Sequence, residues 1–289
     1  MDIIEKLKKD GLLFDGAMGT MLIREGLKGG KASELWILEK PDVVRNIHKS
    51  YFEAGSDVVT TNTFGGSPIK LSKVGLGKEV EEINKIAVQL AKEVAGDNKF
   101  VAGDIGPTGE MLKPFGTISF EEAVDCFAEQ AEYLYKAGAD LFIIETMFDI
   151  KEALAAVNGV QSVSSLPIFA TLTFEQKPTG FVTLMGNRVE DSMKRLVDAG
   201  AEAVGANCSI GSDKMVLLAR EIRDFIDSPV IIQPNAGIPE VKGSNIFYPE
   251  DEDFFSDNIL SIKKIGVEIV GGCCGTTPEY IRRIVDKIR

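Results

Sequence analysis

Two vicinal cysteines lie in the segment Gly271-Gly272-Cys273-Cys274-Gly275-Thr276-Thr277-Pro278, and a third stands in Ala206-Asn207-Cys208-Ser209. Neighbouring residues of a regular strand point to opposite faces, so Cys273 and Cys274 converge on one point only where a strand ends and the backbone turns sharply. The flanking glycines permit that turn. Three thiolates brought together suit Zn²⁺ and leave its fourth tetrahedral position for a substrate or a labile ligand. The pattern therefore predicts a catalytic zinc site with Cys208, Cys273 and Cys274 as ligands. Cysteines bracketed by glycines are poor core material, whereas Cys126, inside the amphipathic stretch Phe120-Glu121-Glu122-Ala123-Val124-Asp125-Cys126-Phe127, reads as a small buried hydrophobe. Two rivals from other classes stand beside this reading. One is a redox protein that uses a vicinal Cys273–Cys274 disulfide; the other is a non-catalytic, zinc-stabilised interaction module.

The rest of the composition narrows the chemistry. The chain has a single histidine, which excludes multi-histidine metal sites and leaves sulfur as the main ligand type. Soft thiolates favour zinc or iron–sulfur clusters over Mg²⁺ or Mn²⁺, and three cysteines with carboxylates nearby fit one zinc better than a four-cysteine cluster. His48 itself falls on a helical stretch far in sequence from any strand end and reads as structural. The net charge of −12, from 44 acidic against 32 basic residues, argues against nucleic acid or an anionic membrane as partner. The N-terminal Met1-Asp2-Ile3-Ile4-Glu5-Lys6 has no apolar signal core, and no run approaches the length of a membrane span. A cytoplasmic location is the expectation.

What must position these residues is a repeating framework. Eight short apolar runs, each ending in small or polar residues, alternate with amphipathic helical stretches. They are Leu12-Leu13-Phe14-Asp15-Gly16, Asp57-Val58-Val59-Thr60-Thr61-Asn62-Thr63, Phe100-Val101-Ala102-Gly103-Asp104, Leu141-Phe142-Ile143-Ile144-Glu145-Thr146, Pro167-Ile168-Phe169-Ala170-Thr171-Leu172-Thr173, Ala203-Val204-Gly205-Ala206-Asn207-Cys208, Pro229-Val230-Ile231-Ile232-Gln233-Pro234-Asn235 and Glu268-Ile269-Val270-Gly271-Gly272-Cys273. Eight repeats in 289 residues predict an α/β fold, a (β/α)₈ TIM barrel forming one domain over residues 1–289, with a doubly wound open sheet as runner-up. Pro41, Ser212 and Thr277 mark helix starts. Ala54-Gly55, Ala137-Gly138 and Ala199-Gly200 mark helix ends.

Reactive groups of such barrels sit at the C-terminal ends of the strands. The polar residues that fall there are Asp15, Asn62, Thr63, Asp104, Glu145, Thr173, Asn207, Cys208, Asn235, Cys273 and Cys274. A carboxylate in an apolar mouth needs a cationic partner, so Asp15 and Glu145 read as functional. Asp104, in Gly103-Asp104-Ile105-Gly106-Pro107-Thr108-Gly109, is balanced between function and ordinary turn chemistry.

Together, Asp15-Gly16-Ala17-Met18-Gly19-Thr20, Thr61-Asn62-Thr63-Phe64, Gly103-Asp104-Ile105-Gly106-Pro107, Glu145-Thr146, Gly205-Ala206-Asn207-Cys208-Ser209 and the 271–278 segment resemble the homocysteine S-methyltransferase family. The likeness spans the whole chain and is strongest to the homocysteine-binding modules of cobalamin-dependent methionine synthases. It implies a zinc barrel that binds homocysteine as a thiolate and methylates its sulfur to give methionine, an EC 2.1.1 activity. Cys208, Cys273 and Cys274 match the zinc ligands. Asp15 and Glu145 match the region that grips the amino-acid end, with the ammonium facing Glu145 and the carboxylate facing backbone amides around Ala17 and Met18. Asn207 joins this substrate-binding set. Asn235, at the seventh strand end, is expected beside the zinc as its fourth ligand when substrate is absent.

The resemblance leaves the methyl donor open. No corrinoid or folate segment is recognisable in the sequence, so a methylated corrinoid protein or module acting in trans is the expected partner. S-methylmethionine and S-adenosylmethionine are the alternatives within the family. Betaine users carry an aromatic residue just after the position of Phe64, where this chain has Gly65-Gly66. A second departure is Trp36-Ile37, where relatives often have Leu-Asn.

Overall fold

The computed structural model describes residues 2–242 and 245–288, so positions 1, 243, 244 and 289 of the expected domain lie outside the described residues. In chain order the strands are β1 (Leu12–Leu13), β2 (Val58–Thr60), β3 (Phe100–Ile105), β4 (Leu141–Met147), β5 (Ile168–Leu172), β6 (Glu175–Lys177), β7 (Gly180–Val182), β8 (Ala203–Gly211), β9 (Val230–Asn235), β10 (Glu240–Lys242), β11 (Asn245–Phe247) and β12 (Ile269–Val270). The helices are α1 (Ile3–Asp10), α2 (Met18–Arg24), α3 (Leu35–Glu39), α4 (Pro41–Ala54), α5 (Pro68–Lys73), α6 (Val80–Lys92), α7 (Phe120–Lys136), α8 (Ile150–Val163), α9 (Val189–Asp198), α10 (Ser212–Arg223), α11 (Glu252–Lys264) and α12 (Pro278–Ile288).

Eight of the strands form one parallel sheet in the order β1-β12-β9-β8-β5-β4-β3-β2. A bridge between Phe14 and Val58 joins the two edges and closes the ring. The result is the expected (β/α)₈ TIM barrel, and closure separates it from an open doubly wound sheet. Every one of the eight apolar runs supplies a barrel strand. Their lack of alternation has a simple origin, because both faces are buried. Leu12, Phe14, Val58, Leu141, Ile143, Phe169, Ile231 and Ile269 fill the inside of the barrel. Their neighbours Leu13, Val59, Phe142, Ile144, Ala170, Ile232 and Val270 pack outward under the helices. Each large side chain so buried contributes roughly 1.5–3 kcal/mol of transfer free energy.

Helix α1 adds Ile3 and Leu7 to the inner cluster and so plugs the N-terminal end of the barrel. That leaves the C-terminal end as the open one. Gly55, Gly138 and Gly200 take left-handed φ values of 113°, 97° and 94°, as expected of glycines just past helix ends that turn the chain back into a strand. Ser212 departs from its expected capping role: it is the first helical residue of α10, and the Glu250 carboxylate accepts its backbone N–H at 3.1 and 3.2 Å. Two antiparallel hairpins, β6–β7 and β10–β11, decorate loops at the open end and have no counterpart in the eight-run pattern. Trp36 and Ile37 are buried in α3, and Lys40 Nζ stands 3.9 Å over the Trp36 ring, so this departure from the family pattern is a core exchange. Cys126 on α7 and His48 on α4 are both buried, and neither lines the main cavity. Among the described residues, no helix is long and apolar enough to cross a membrane.

Candidate metal centre and substrate cavity

Cys208 lies where β8 departs from regular pairing. Asn207 pairs with Gln233 and Gly211 with Asn235, so residues 208–210 stand opposite Pro234 alone. The excess residues bulge, and Cys208 and Ser209 take φ values of 59° and 64°. The end of β4 is built the same way. Residues 145–146 stand opposite Thr171 alone, and Thr146 has φ 60°. A non-glycine residue in the left-handed region stores on the order of 1–3 kcal/mol and persists only where its surroundings over-determine it.

Asn207 supplies much of that determination at Thr146. Its Oδ1 accepts the Thr146 N–H at 2.8 Å and the Thr171 hydroxyl at 2.7 Å. Its Nδ2 donates to Glu145 Oε2 and to Thr146 Oγ1, both at 2.8 Å. A backbone N–H can only donate, so the amide orientation is fixed. The same Nδ2 lies 3.8 Å from Cys273 Sγ.

Cys273 and Cys274 follow β12 through the expected sharp turn. Cys273 N donates to Pro234 O at 2.7 Å, and Ala236 N donates to Cys274 O at 2.9 Å, so the pair is sewn to the end of β9. The glycines permit close approach. A Cβ on Gly272 would sit 2.3 Å from Thr276 Oγ1, and one on Gly275, at φ 86°, would sit 2.3 Å from the Tyr248 ring.

The sulfurs of Cys208, Cys273 and Cys274 all lie within 4.8 Å of one another, with Cys208 Sγ and Cys274 Sγ 3.9 Å apart. Among the described residues this is the one cluster of His, Cys, Asp or Glu side chains with such spacing. Thiol donation from Cys273 and Cys274 holds the Cys208 thiol down at about 3. The partners move the other way, Cys274 up to about 12 and Cys273 well above the usual range, chiefly through that same bonding to Cys208. Three crowded sulfurs thus share one negative charge, and losing the remaining protons requires a cation between them. Asn235 stands beside the cluster: it hydrogen-bonds Cys208, and its buried Oδ1 has no partner. Three thiolates and a carboxamide oxygen suit a soft divalent cation.

A cavity of about 430 Å³ opens over this cluster at the C-terminal ends of the strands, walled by the three cysteines, Asp15, Asp104, Glu145, Phe64 and Tyr248. Burial raises all three carboxyl groups above their usual range; Glu145 reaches about 7, with the Cys208 charge as second cause. Asp15 accepts from Thr60 N at 2.9 Å and from Thr60 Oγ1 at 3.2 and 3.3 Å. Ala17 and Met18 line the cavity at the start of α2, where amide groups have no carbonyl one turn earlier to bond. The Ala17 N–H already donates to Thr276 Oγ1 at 3.2 Å. Asn207 and Asn235 are buried, at 0% and 3% exposure, and support the site from behind its surface. Asn62 and Thr63 serve the loop, donating to Ser33 O at 2.9 Å and to Asp104 O at 2.7 Å. Thr60, Thr276 and Tyr248 went unread in the sequence. Thr60 could have been found, since it stands directly before the Thr61-Asn62-Thr63 cluster at a strand end; Tyr248 follows a hairpin with no sequence signal.

A family model described as homocysteine S-methyltransferase matches residues 12–288. Methionine synthase of Mycobacterium leprae is 31% identical over 303 aligned positions that cover 98% of this chain and 25% of that protein. Methionine synthase of Mycobacterium tuberculosis is 30% identical with the same coverage. The chain thus spans about a quarter of the length of these curated relatives. Among solved structures, the metallated form of the homocysteine methyltransferase MmuM from Escherichia coli superposes with a TM-score of 0.82 at 22% identity, covering 99% of both chains. At that identity the superposition speaks for the fold. The family match over nearly the whole chain, with the cysteine cluster at the mouth of the barrel, places this protein in the homocysteine S-methyltransferase family.

Proposed function

We propose that this chain is one barrel domain that binds homocysteine, activates its thiol at a zinc ion held by Cys208, Cys273 and Cys274, and presents the sulfur for methylation to methionine. The observation that carries the reading is the placement of three mutually close thiols and three buried carboxyl groups on one cavity. Thiols of that number and spacing hold a metal; carboxylates without a cationic partner call for an ammonium. An amino acid with a side-chain thiol offers both ends.

Zinc bound there supplies the positive charge that keeps a substrate thiol ionised at neutral pH, where a free thiol is mostly protonated. Everything else falls to the chain. The bulge at Cys208 and the turn at Cys273-Cys274 aim the three sulfurs at one point. Asn235 would help the three thiolates hold the metal when substrate is absent. Glu145, held by Asn207, accepts from the ammonium, and Asp15 adds its charge from the end of β1. The substrate carboxylate meets the backbone around Ala17 and Met18 at the start of α2, where the Ala17 N–H is shared with Thr276 Oγ1. Fixing the amino-acid end in this way orients the sulfur toward the open mouth and supplies the effective concentration that an intermolecular transfer lacks.

The methyl donor in this reading is a methylcorrinoid protein or module, and the reaction belongs to the cytoplasm. Exposed apolar side chains on the segments that follow the barrel strands support a macromolecular donor over a small one: Ile23 on α2, Phe115, Leu184 and Ile238 on loops, and Val241 and Phe247 on the β10–β11 hairpin. A small donor such as S-methylmethionine needs no such rim.

Zinc content together with zinc-edge X-ray absorption, with and without homocysteine, tests the proposal. One zinc per chain that gains a sulfur neighbour on addition of homocysteine is the expected result. No zinc, or a coordination shell that homocysteine leaves unchanged, overturns it. A reversible disulfide without stoichiometric metal moves the vicinal-dithiol reading to the front.

A further inference from the structure

The three carboxyl groups of the cavity differ in what already holds them. Both oxygens of Asp15 are engaged by Thr60. Glu145 has one oxygen engaged by Asn207. Asp104 is 4% exposed, and its Oδ1 is buried without any hydrogen-bond partner.

The backbone around Asp104 leaves its side chain little choice of direction. Its N–H donates to Thr61 Oγ1 at 3.0 Å, and its carbonyl accepts from Thr63 Oγ1 at 2.7 Å and Gln130 Nε2 at 3.1 Å. These bonds pin the main chain at the end of β3, and the carboxyl group lines the cavity within hydrogen-bonding reach of Glu145. Protein cations do not satisfy it. Lys70, whose charge Asp104 feels, turns its Nζ to Pro107 O at 3.4 Å and over the Phe64 ring at 4.4 Å. Leaving a carboxylate buried and unpaired is among the more destabilising arrangements in a protein, unless a ligand supplies the missing donor.

We propose that Asp104 is a second acceptor for the α-ammonium of the substrate, so that Asp104 and Glu145 together flank that group and select an amino acid bearing it. The inference rests on the reading of this cavity as the homocysteine site. An ammonium presents three N–H donors, enough for the unpartnered Oδ1 of Asp104 and for Glu145 beside it. A site built to bond a polar group rejects analogues that lack it far more strongly than an apolar site could, because its own acceptors are then left unpaired.

The test is a comparison of two thiols, homocysteine and 4-mercaptobutyrate, which is the same chain without the amino group. Affinities of both for the zinc-loaded protein are measured for wild type and for Asp104→Asn. Wild type is expected to prefer homocysteine. Asp104→Asn is expected to bind homocysteine about 10- to 100-fold more weakly while binding 4-mercaptobutyrate as before, so the preference collapses. Retained binding of 4-mercaptobutyrate also shows that the fold and the metal survive. Should Asp104→Asn lose both thiols, the smaller Asp104→Ser is judged by the same ratio. An unchanged ratio in a variant that binds both thiols overturns the role of Asp104 and leaves the homocysteine reading standing. Wild type that binds neither thiol overturns both.

Discussion

Asn207 Nδ2 stands 2.8 Å from Glu145 Oε2, while Oδ1 of the same carboxamide takes the Thr146 N–H at 2.8 Å. One side chain on β8 therefore fixes the carboxylate at the end of β4, across the intervening β5. Asn207→Ala leaves the Thr146 N–H and the Thr171 hydroxyl without their acceptor, a loss of about 2–4 kcal/mol in urea unfolding. Homocysteine affinity is expected to fall at least ~10-fold with zinc content unchanged, as a positioning role predicts. Asn207→Asp separates the two halves of this bonding. It keeps both acceptor bonds and recovers stability, yet sets a carboxylate against Glu145 and does not recover affinity. Wild-type homocysteine binding by Asn207→Asp would show that Glu145 is held by something else.

What could be read in advance divides along physical lines. The barrel was legible because strands buried on both faces leave unbroken apolar runs, and because Ala-Gly at 54–55, 137–138 and 199–200 marks the returns into β2, β4 and β8. Cys273 and Cys274 were legible because three glycines so near two thiols make no sense as core. The bonding of Asp15 was not, since its partner Thr60 lies on β2, and β1 meets β2 only when the ring closes. Nor was the capping of Ser212, which comes from Glu250, 38 residues away. Periodicity reports which face is buried; it is silent on which loops meet above the barrel.

Gly275 offers a second prediction. Its φ of 86° disfavours any side chain, and a Cβ there would meet the Tyr248 ring at 2.3 Å. Left-handed strain alone is about 1–2 kcal/mol, and the ring contact adds to it. Gly275→Ala is expected to lower the melting temperature and, by displacing Cys274, to weaken zinc binding in competition with a chelator. Adding Tyr248→Ala relieves the contact and restores part of the zinc affinity while the backbone strain remains. Equal zinc affinity for Gly275→Ala and wild type would mean that the turn tolerates a side chain and that Cys274 is positioned otherwise.

His48 sets a pH dependence of stability. Burial lowers its pKa from the usual 6.5 to about 3, and neither ring nitrogen has a partner. Above pH 6.5 the imidazole is neutral in both the folded and the unfolded chain and makes no difference. As the pH falls below that value the unfolded chain takes up the proton first. Stability is therefore lost progressively down to about pH 3, by about 2 kcal/mol at pH 5 from this group alone. Asp15, Asp104 and Glu145, whose raised values favour protonation in the fold, act in the opposite direction. Comparison with His48→Leu isolates the histidine. The stability difference between wild type and variant should shift by that amount against wild type between pH 8 and pH 5. A constant difference would mean that His48 is protonated in the fold or reaches water.

The cysteines permit the most direct contrast, because Cys126 serves as an internal control. Cys208→Ala removes one of three thiols and leaves the metal only two sulfur ligands; zinc affinity should drop by more than ~100-fold at neutral pH. Cys126→Ala removes a buried sulfur from α7, and its effect should be confined to stability, at about 1 kcal/mol from lost packing. Zinc per chain after dialysis against a weak chelator, read beside thermal unfolding, separates the two. A ligand that binds the folded state raises its stability by mass action, so zinc should raise the melting temperature of wild type and of Cys126→Ala and leave Cys208→Ala unmoved. If Cys208→Ala kept one zinc per chain through dialysis, the metal would have to be held elsewhere. Among the described residues no second cluster offers itself, and the activation of a substrate thiol at this cavity would lose its basis.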